Sequence, residues 1–87
     1  MERMSYEFSD GASFSVVLGE DGYNVNIVSD VPLMGTYTSL EKLLYDIAPV
    51  INQHIDNVFE LKKIAIAFNN SFKNGLGIDG IEEILTL

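Results

Sequence analysis

Apolar and polar residues alternate with a period of two through the first third of the chain, as they do in β-strands. The alternation is clearest at Phe14, Val16 and Leu18, and it recurs in residues 4–9 and 23–28. Asp10-Gly11 and Asp21-Gly22 separate these runs, and Asp-Gly is a strong hairpin signal. The pattern predicts a three-stranded antiparallel meander with strands at 4–9, 13–18 and 23–28. Asp30-Val31-Pro32 is expected to end the third strand, and residues 34–37 are a candidate fourth strand.

From residue 38 the apolar residues change to helical spacing, at Leu40, Leu43, Leu44, Ile47, Ile51 and Ile55. The sequence Thr38-Ser39-Leu40-Glu41 predicts a capping box, in which the Thr38 hydroxyl caps the helix and Glu41 reaches back. Pro49 falls opposite the apolar stripe of this helix. It predicts either a kink or a break after which Pro49 opens a second short helix.

A second helix is predicted from Val58 to Lys73, with an apolar face and a stop at Asn74-Gly75. Asp79 is expected to cap a last short helix. Strands followed by helices indicate an α+β fold. The expected architecture is a three- or four-stranded antiparallel meander followed by two or three helices packed on one face. The expected core is formed by Phe14, Val16, Val25 and Ile27 of the sheet facing Leu44, Ile47, Ile64 and Phe68 of the helices.

Two apolar residues of the second helix, Phe59 and Ile66, lie seven positions apart and point away from its main apolar face. We expect the last helix to cover them. If it does not, they form an exposed apolar patch for a partner. The string Leu-Gly-x-Asp-Gly occurs at residues 18–22 and 76–80, and we interpret the two copies as independent turns.

The composition bounds the class of protein. The 87 residues fit one small acidic domain, residues 1–87, with 13 acidic and 5 basic side chains, a net charge of −8 and no Cys. The lack of Cys excludes a disulfide scaffold and thiolate chemistry. No apolar run is long enough to span a membrane, and residues 1–5 lack the blocks of a signal peptide, so a cytoplasmic protein is expected. The negative charge argues against direct binding to nucleic acid or to an anionic membrane.

Little in the sequence indicates catalysis. His54 is the only imidazole, and it falls inside the apolar stripe of the first helix. A general base there would need an orienting carboxylate, and the nearby Asp46 and Asp56 have no convincing spacing, so we interpret His54 as a partly buried structural residue. The acidic residues lack the pattern of a calcium loop, and no nucleophile or phosphate-binding motif is present. We therefore expect no enzyme activity, no metal and no cofactor.

The acidic residues are concentrated in the sheet region, where residues 1–37 carry a net charge of −5. A meander places Glu2, Glu20 and Asp21 at one end of the sheet and Asp10 and Asp30 at the other. The outer face of the sheet should carry short polar side chains, namely Ser5, Glu7, Ser9, Ser13, Ser15, Val17, Asn24, Asn26 and Val28. The candidate partner-binding residues are Glu7, Asp10, Glu20, Asp21 and Asp30.

Three functions compete. The favoured hypothesis is a non-catalytic protein-binding module that acts by occupancy. Its most specific form is an inhibitor, of the DNA-mimic or anti-CRISPR type, that places an acidic surface on a basic nucleic-acid-binding partner. This form rests only on the similar size and charge of such inhibitors. The second is a small structural domain that self-associates as a homodimer through a sheet edge. The third, a small-ligand carrier or enzyme, needs a sizeable pocket that so short a chain can scarcely enclose.

Overall fold

Four antiparallel strands are followed by three helices in the computed structural model, which describes residues 2–30 and 32–87. The elements are β1 (Glu2–Glu7), β2 (Ser13–Gly19), β3 (Gly22–Val28), β4 (Leu33–Tyr37), α1 (Leu40–His54), α2 (Val58–Ser71) and α3 (Gly77–Leu85). The predicted α+β class is confirmed, with four strands and three helices. The segment expected to end the third strand includes Val31, which lies outside the described residues.

The sheet is a simple meander in the order β1-β2-β3-β4, with every neighbouring pair antiparallel. The first strand was predicted at 4–9, which is two residues too late at both ends. Its ladder closes at Glu7 opposite Ser13, because the Phe8 backbone N–H donates to the Ala12 carbonyl inside the turn instead.

The second hairpin is tight, since Gly19 is opposite Gly22 and Glu20-Asp21 form its tip. Gly22 has φ +128°, and a Cβ atom there would lie 2.4 Å from the Tyr37 carbonyl oxygen of β4. A side chain at this position would therefore push β3 and β4 apart, which gives a structural reason for glycine after Asp21.

The core lies between one face of the sheet and the helices, as predicted. Phe14 of β2 and Phe68 of α2 stack with ring centroids 5.8 Å apart. All eight residues expected to face one another are buried: Phe14, Val16, Val25, Ile27, Leu44, Ile47, Ile64 and Phe68. Burial of these large side chains supplies the main driving force for folding.

Helix α1 begins one residue later than the predicted capping box implies. Ser39 is the N-cap, and its side chain accepts a hydrogen bond of 3.2 Å from the Lys42 backbone N–H. The expectation that Thr38 caps the helix was wrong. With Ser39 as the N-cap, the third helical residue is Lys42, whose side chain cannot accept a hydrogen bond from the N-cap backbone N–H, as the Glu41 carboxylate was expected to do.

Pro49 lies inside α1 and is exposed, as its place on the helical wheel predicted. The helix continues from Leu40 to His54, so the alternative in which Pro49 opens a separate helix was wrong. Pro49 removes one N–H on the solvent side, while buried residues on both sides of it, Ile47 and Ile51, hold the two halves on the same core.

Helix α2 ends at Ser71, two residues earlier than predicted, so Lys73 does not lie in its last turn. Phe72 leaves the helix in an extended conformation and remains buried, with its ring edge against Tyr23 of β3. The Asn74 side-chain oxygen then accepts from the backbone N–H groups of Leu76 and Gly77. Asn74 therefore sets the start of α3, and the expected cap at Asp79 was wrong because that residue lies within the helix.

Helix α3 packs against both α1 and α2. The Asn52 side-chain amide of α1 donates to the Leu85 carbonyl at 2.6 Å and joins the ends of two helices. The first Leu-Gly-x-Asp-Gly string forms the β2–β3 hairpin, as expected of a turn, whereas the second runs into α3, so its interpretation as a turn was wrong. In the described part of the chain, no helix combines the length and the apolar character needed to cross a membrane.

Candidate binding surfaces

The end of the sheet that carries the β1–β2 turn and the β3–β4 connection, here called the turn end, forms a groove against helix α1. Asp10 comes from the first turn, Ser29 and Asp30 come from the second connection, and His54 comes from the last turn of α1. Val50 and Gln53 extend the groove along α1. We call this the turn-end groove. Asp10 and Asp30 were predicted to share one end of the sheet, and they do.

The β1–β2 turn fixes the position of Asp10. Phe8 N–H donates to the Ala12 carbonyl at 2.8 Å, and Gly11 N–H donates back to the Phe8 carbonyl at 3.1 Å. Oδ1 of Asp10 accepts from Ala12 N–H at 3.0 Å, while Gly11 supplies a φ of +94°. An Asp side chain that bonds to the backbone two residues later, followed by a glycine, is a common way to build a tight turn.

The second carboxylate oxygen of Asp10 reaches α1. Oδ2 lies 2.6 Å from Nδ1 of His54, and the imidazole stacks on the Phe8 ring with centroids 5.2 Å apart. The hydrogen bond from His54, followed by that from Ala12, lowers the pKa of Asp10. An ionised carboxylate only accepts hydrogen bonds, so Nδ1 of His54 carries the proton and Nε2 is an acceptor whenever the ring is neutral.

His54 is thus partly buried, as predicted, but its partner was not anticipated. The sequence offered Asp46 and Asp56 as nearby candidates; instead, Asp56 accepts a hydrogen bond from the Ser9 hydroxyl, and Tyr37 bonds to Asp46. Burial, and then this bond to Asp46, raises the pKa of Tyr37. The true partner, Asp10, is 44 residues from His54 along the chain. No spacing rule connects residues so far apart, although the predicted meander did place Asp10 at a turn.

The charged side chains of the turn-end groove are carboxylates, which accept hydrogen bonds. The Asp10 side chain is 46% exposed and the His54 side chain 17% exposed, and Asp30 is exposed. Among the groove-lining residues of the described chain there is no Lys or Arg. Such a site suits a donor with several N–H groups, such as a guanidinium or an ammonium. No three His, Asp or Glu side chains of residues 2–30 and 32–87 are grouped so that they could hold a metal ion.

The other predicted acidic residues lie elsewhere. Glu20 and Asp21 form the tip of the β2–β3 hairpin, here called the hairpin tip, at the far end of the sheet. β2 is seven residues long, so about 20 Å separates the two ends. This distance is about twice the Debye length at physiological salt. The hairpin tip and the turn-end groove are therefore separate patches of charge.

Glu7 lies at the turn end of β1, but it lines the outer face of the sheet together with Ser5, Ser13 and Ser15. The predicted outer face is otherwise largely as expected, and β4 adds Met34 and Thr36 to it. Ser9 was wrongly assigned to this face. It follows the end of β1 and donates to Asp56 beyond α1, because the chain has already turned away from the ladder.

Helix α2 presents a second candidate surface. Phe59 is 75% exposed and Ile66 is 37% exposed, so the expectation that α3 covers them was wrong. α3 contacts both α1 and α2 and buries its own Ile81, Ile84 and Leu85, but it leaves Phe59 and Ile66 exposed. The exposed Lys62 and Lys63 belong to the same helix, so this surface is both apolar and basic.

Comparison with known proteins returned no similarity to report. No model of a known protein family matches the chain, and no curated protein or solved structure matches it.

Proposed function

We propose that this protein is a non-catalytic binding module that acts by occupying the surface of a protein partner, and that the turn-end groove receives a basic side chain of that partner. The observation that carries the proposal is the convergence of Asp10, Asp30 and His54 on one groove. Asp10 is held in place by two hydrogen bonds, so little side-chain entropy is lost when it accepts a third donor.

The charges of Asp10 and Asp30 act together on a ligand in the turn-end groove. Two strand spacings, or about 10 Å, separate the β1–β2 turn from the β3–β4 connection, which is close to the Debye length at physiological salt. The fields of Asp10 and Asp30 therefore overlap at the groove. The net charge of −8 adds a long-range attraction for basic surfaces that accelerates encounter.

The sharpest form of the proposal is an inhibitor that covers the nucleic-acid-binding surface of a basic protein. Such surfaces carry Arg and Lys side chains that neutralise phosphates, and the groove offers carboxylates in their place. A cytoplasmic location belongs to the same proposal. A protein that acts by occupying its partner's surface needs no catalytic group. In this proposal the bond to His54 holds the Asp10 carboxylate in position to accept hydrogen bonds from the partner.

The first test compares identical charge changes at the two ends of the sheet. Asp30→Lys changes the turn-end groove, and Asp21→Lys changes the hairpin tip by the same amount. Both are titrated against a labelled oligoarginine peptide at low and high salt. We expect Asp30→Lys to weaken binding about tenfold, equivalent to about 1.4 kcal/mol. Asp21→Lys should weaken it much less, and added salt should reduce the difference between the two variants.

Equal weakening by the two variants would contradict the groove as the site and leave attraction by net charge alone. The inhibitor form needs a second test. A basic protein captured from the native cell by this chain should release it when its own nucleic acid is added. Simultaneous binding of both would overturn the mimicry form of the proposal.

A further inference from the structure

The two outer strands of the sheet differ in how well they are protected against pairing. The strand order leaves one side of β1 and one side of β4 without a strand partner in the described chain. The free N–H and C=O groups of an edge strand are a template for another strand, and charged side chains are a usual protection.

β1 carries such protection. Its six residues include Glu2, Arg3 and Glu7. All three of these charged side chains are exposed, so a strand added along this edge would have to approach them.

β4 lacks this protection. Its sequence, Leu33–Tyr37, contains no side chain that is charged at neutral pH, and its outward-facing Met34 is 78% exposed. Antiparallel self-pairing about Gly35 would place Leu33 opposite Tyr37 and Met34 opposite Thr36 of the second copy. Each of these pairs contains at least one large apolar side chain, and none opposes like charges.

We propose that β4 pairs with β4 of a second copy of this chain and joins the two meanders into one eight-stranded sheet. The helix layer is compatible with this arrangement. α1 packs over both β3 and β4, so the α1 axes of the two copies would lie about two strand spacings apart, or about 10 Å. That separation is within the usual range for packed helices, about 8–10 Å.

Two features keep this dimer weak. The paired edge is five residues long, or about 17 Å. A strand contact of this length buries less surface area than a standard protein–protein interface. Each copy also carries a net charge of −8, so the copies repel one another at low salt. Association should therefore strengthen with salt, which is opposite to the salt dependence expected for a basic partner in the turn-end groove.

The test is sedimentation equilibrium of the whole chain over a wide range of protein concentration, from about 10 mM to about 1 M NaCl, across which the Debye length falls from about 30 Å to about 3 Å. We expect a monomer at low salt and a reversible dimer at high salt. Met34→Lys should weaken the dimer at least about tenfold, because a Lys on an edge strand opposes pairing.

Ser5→Lys is the matched control. Ser5 and Met34 lie in one row across the outer face, through Ser15 and Asn26, at opposite edges of the sheet. Both substitutions change the net charge equally, and both side chains are exposed, so the fold should survive them. Ser5→Lys should leave the dimer unchanged or slightly stronger.

A monomer at high concentration and high salt would overturn the proposal, as would a dimer that tolerates Met34→Lys. A dimer lost on Ser5→Lys would assign pairing to β1, and one lost on Phe59→Lys would assign it to α2; either result would also overturn pairing through β4. These outcomes are independent of the turn-end groove, where the sensitive residue is Asp30.

Discussion

The two ends of the sheet carry similar acidic residues in very different surroundings. At the turn end, Asp10 is bonded to Ala12 of its own turn and to His54 of α1, and Ser9 bonds to Asp56 beyond α1. At the hairpin tip, Glu20 and Asp21 are exposed, and Asp21 accepts a local bond of 3.3 Å from Asn24. The same type of side chain therefore links two layers of the fold at one end and modifies surface charge at the other.

The largest effect on stability is expected at the turn end, where the buried Phe8 ring packs against His54. Phe8 is buried and lies against the rings of Tyr6, Phe14 and His54. Phe8→Ala should lower the free energy of unfolding by about 3–5 kcal/mol, because it leaves a cavity under α1. Denaturant titration measures this. Val28→Ala, at the same end but 58% exposed, should cost no more than about 0.5 kcal/mol. Similar costs for both variants would show that the turn end is not packed as described.

A smaller effect is expected from the charge that joins the turn to α1. Asp10→Asn keeps an oxygen for Ala12 N–H but replaces the carboxylate that faces His54. The melting temperature should fall, and the nitrogen chemical shifts of neutral His54 should show loss of the preference for a proton on Nδ1. Asp21→Asn, the same change at the hairpin tip, should alter neither quantity. A wild-type His54 with its proton on Nε2 would contradict the bond to an ionised Asp10.

The Asp10–His54 bond makes the stability of the folded protein depend on pH. The pKa of Asp10 is lowered in the folded protein, mainly by His54 and then by the Ala12 backbone. Its stabilising contribution is therefore complete above the unfolded pKa of about 3.9 and is lost as the pH falls through the lower folded value. Melting temperatures measured from pH 6 downward should drop less steeply for Asp10→Asn than for the parent protein. Parallel curves would mean that the bond contributes nothing to folding.

The smallest effect on stability is expected at the hairpin tip. Glu20→Lys combined with Asp21→Lys should change the free energy of unfolding by no more than about 0.5 kcal/mol, because exposed side chains away from packed contacts contribute little. Denaturant titration at moderate salt provides the measurement. A clear loss of stability would show that the hairpin tip, like the turn end, has a structural role, and the contrast between the two ends would fail.

Local patterns in the sequence predicted the elements, whereas contacts between distant segments escaped them. Alternation and helical spacing identified three of the strands, the three helices and the buried set around Phe14 and Phe68, because burial imposes those periods directly, while β4 was only a candidate. The caps were less predictable: Ser39, rather than its neighbour Thr38, became the N-cap, since either hydroxyl could serve.

The turn-end groove was predictable only in part. The predicted meander placed Asp10 and Asp30 at the same end of the sheet. The position of His54 depends on how long α1 is and how it lies on the sheet, and no local sequence pattern predicts that. The exposure of Phe59 escaped prediction for a related reason, because it depended on where α3 packs and not on the periodicity of α2.

The closed β1–β2 turn has a consequence for the exchange of backbone amide hydrogens with solvent. The amides of Phe8, Gly11 and Ala12 are all hydrogen-bonded within the turn, and Asp10 ties that turn to α1. Opening it breaks the bond between Asp10 and His54 of α1, whereas opening the hairpin tip breaks the local bond between Asn24 and Asp21. Local opening should therefore begin at Glu20 and Asp21 and spread along β2 and β3, so that the sheet frays from one end while the other exchanges at a rate closer to that of global unfolding.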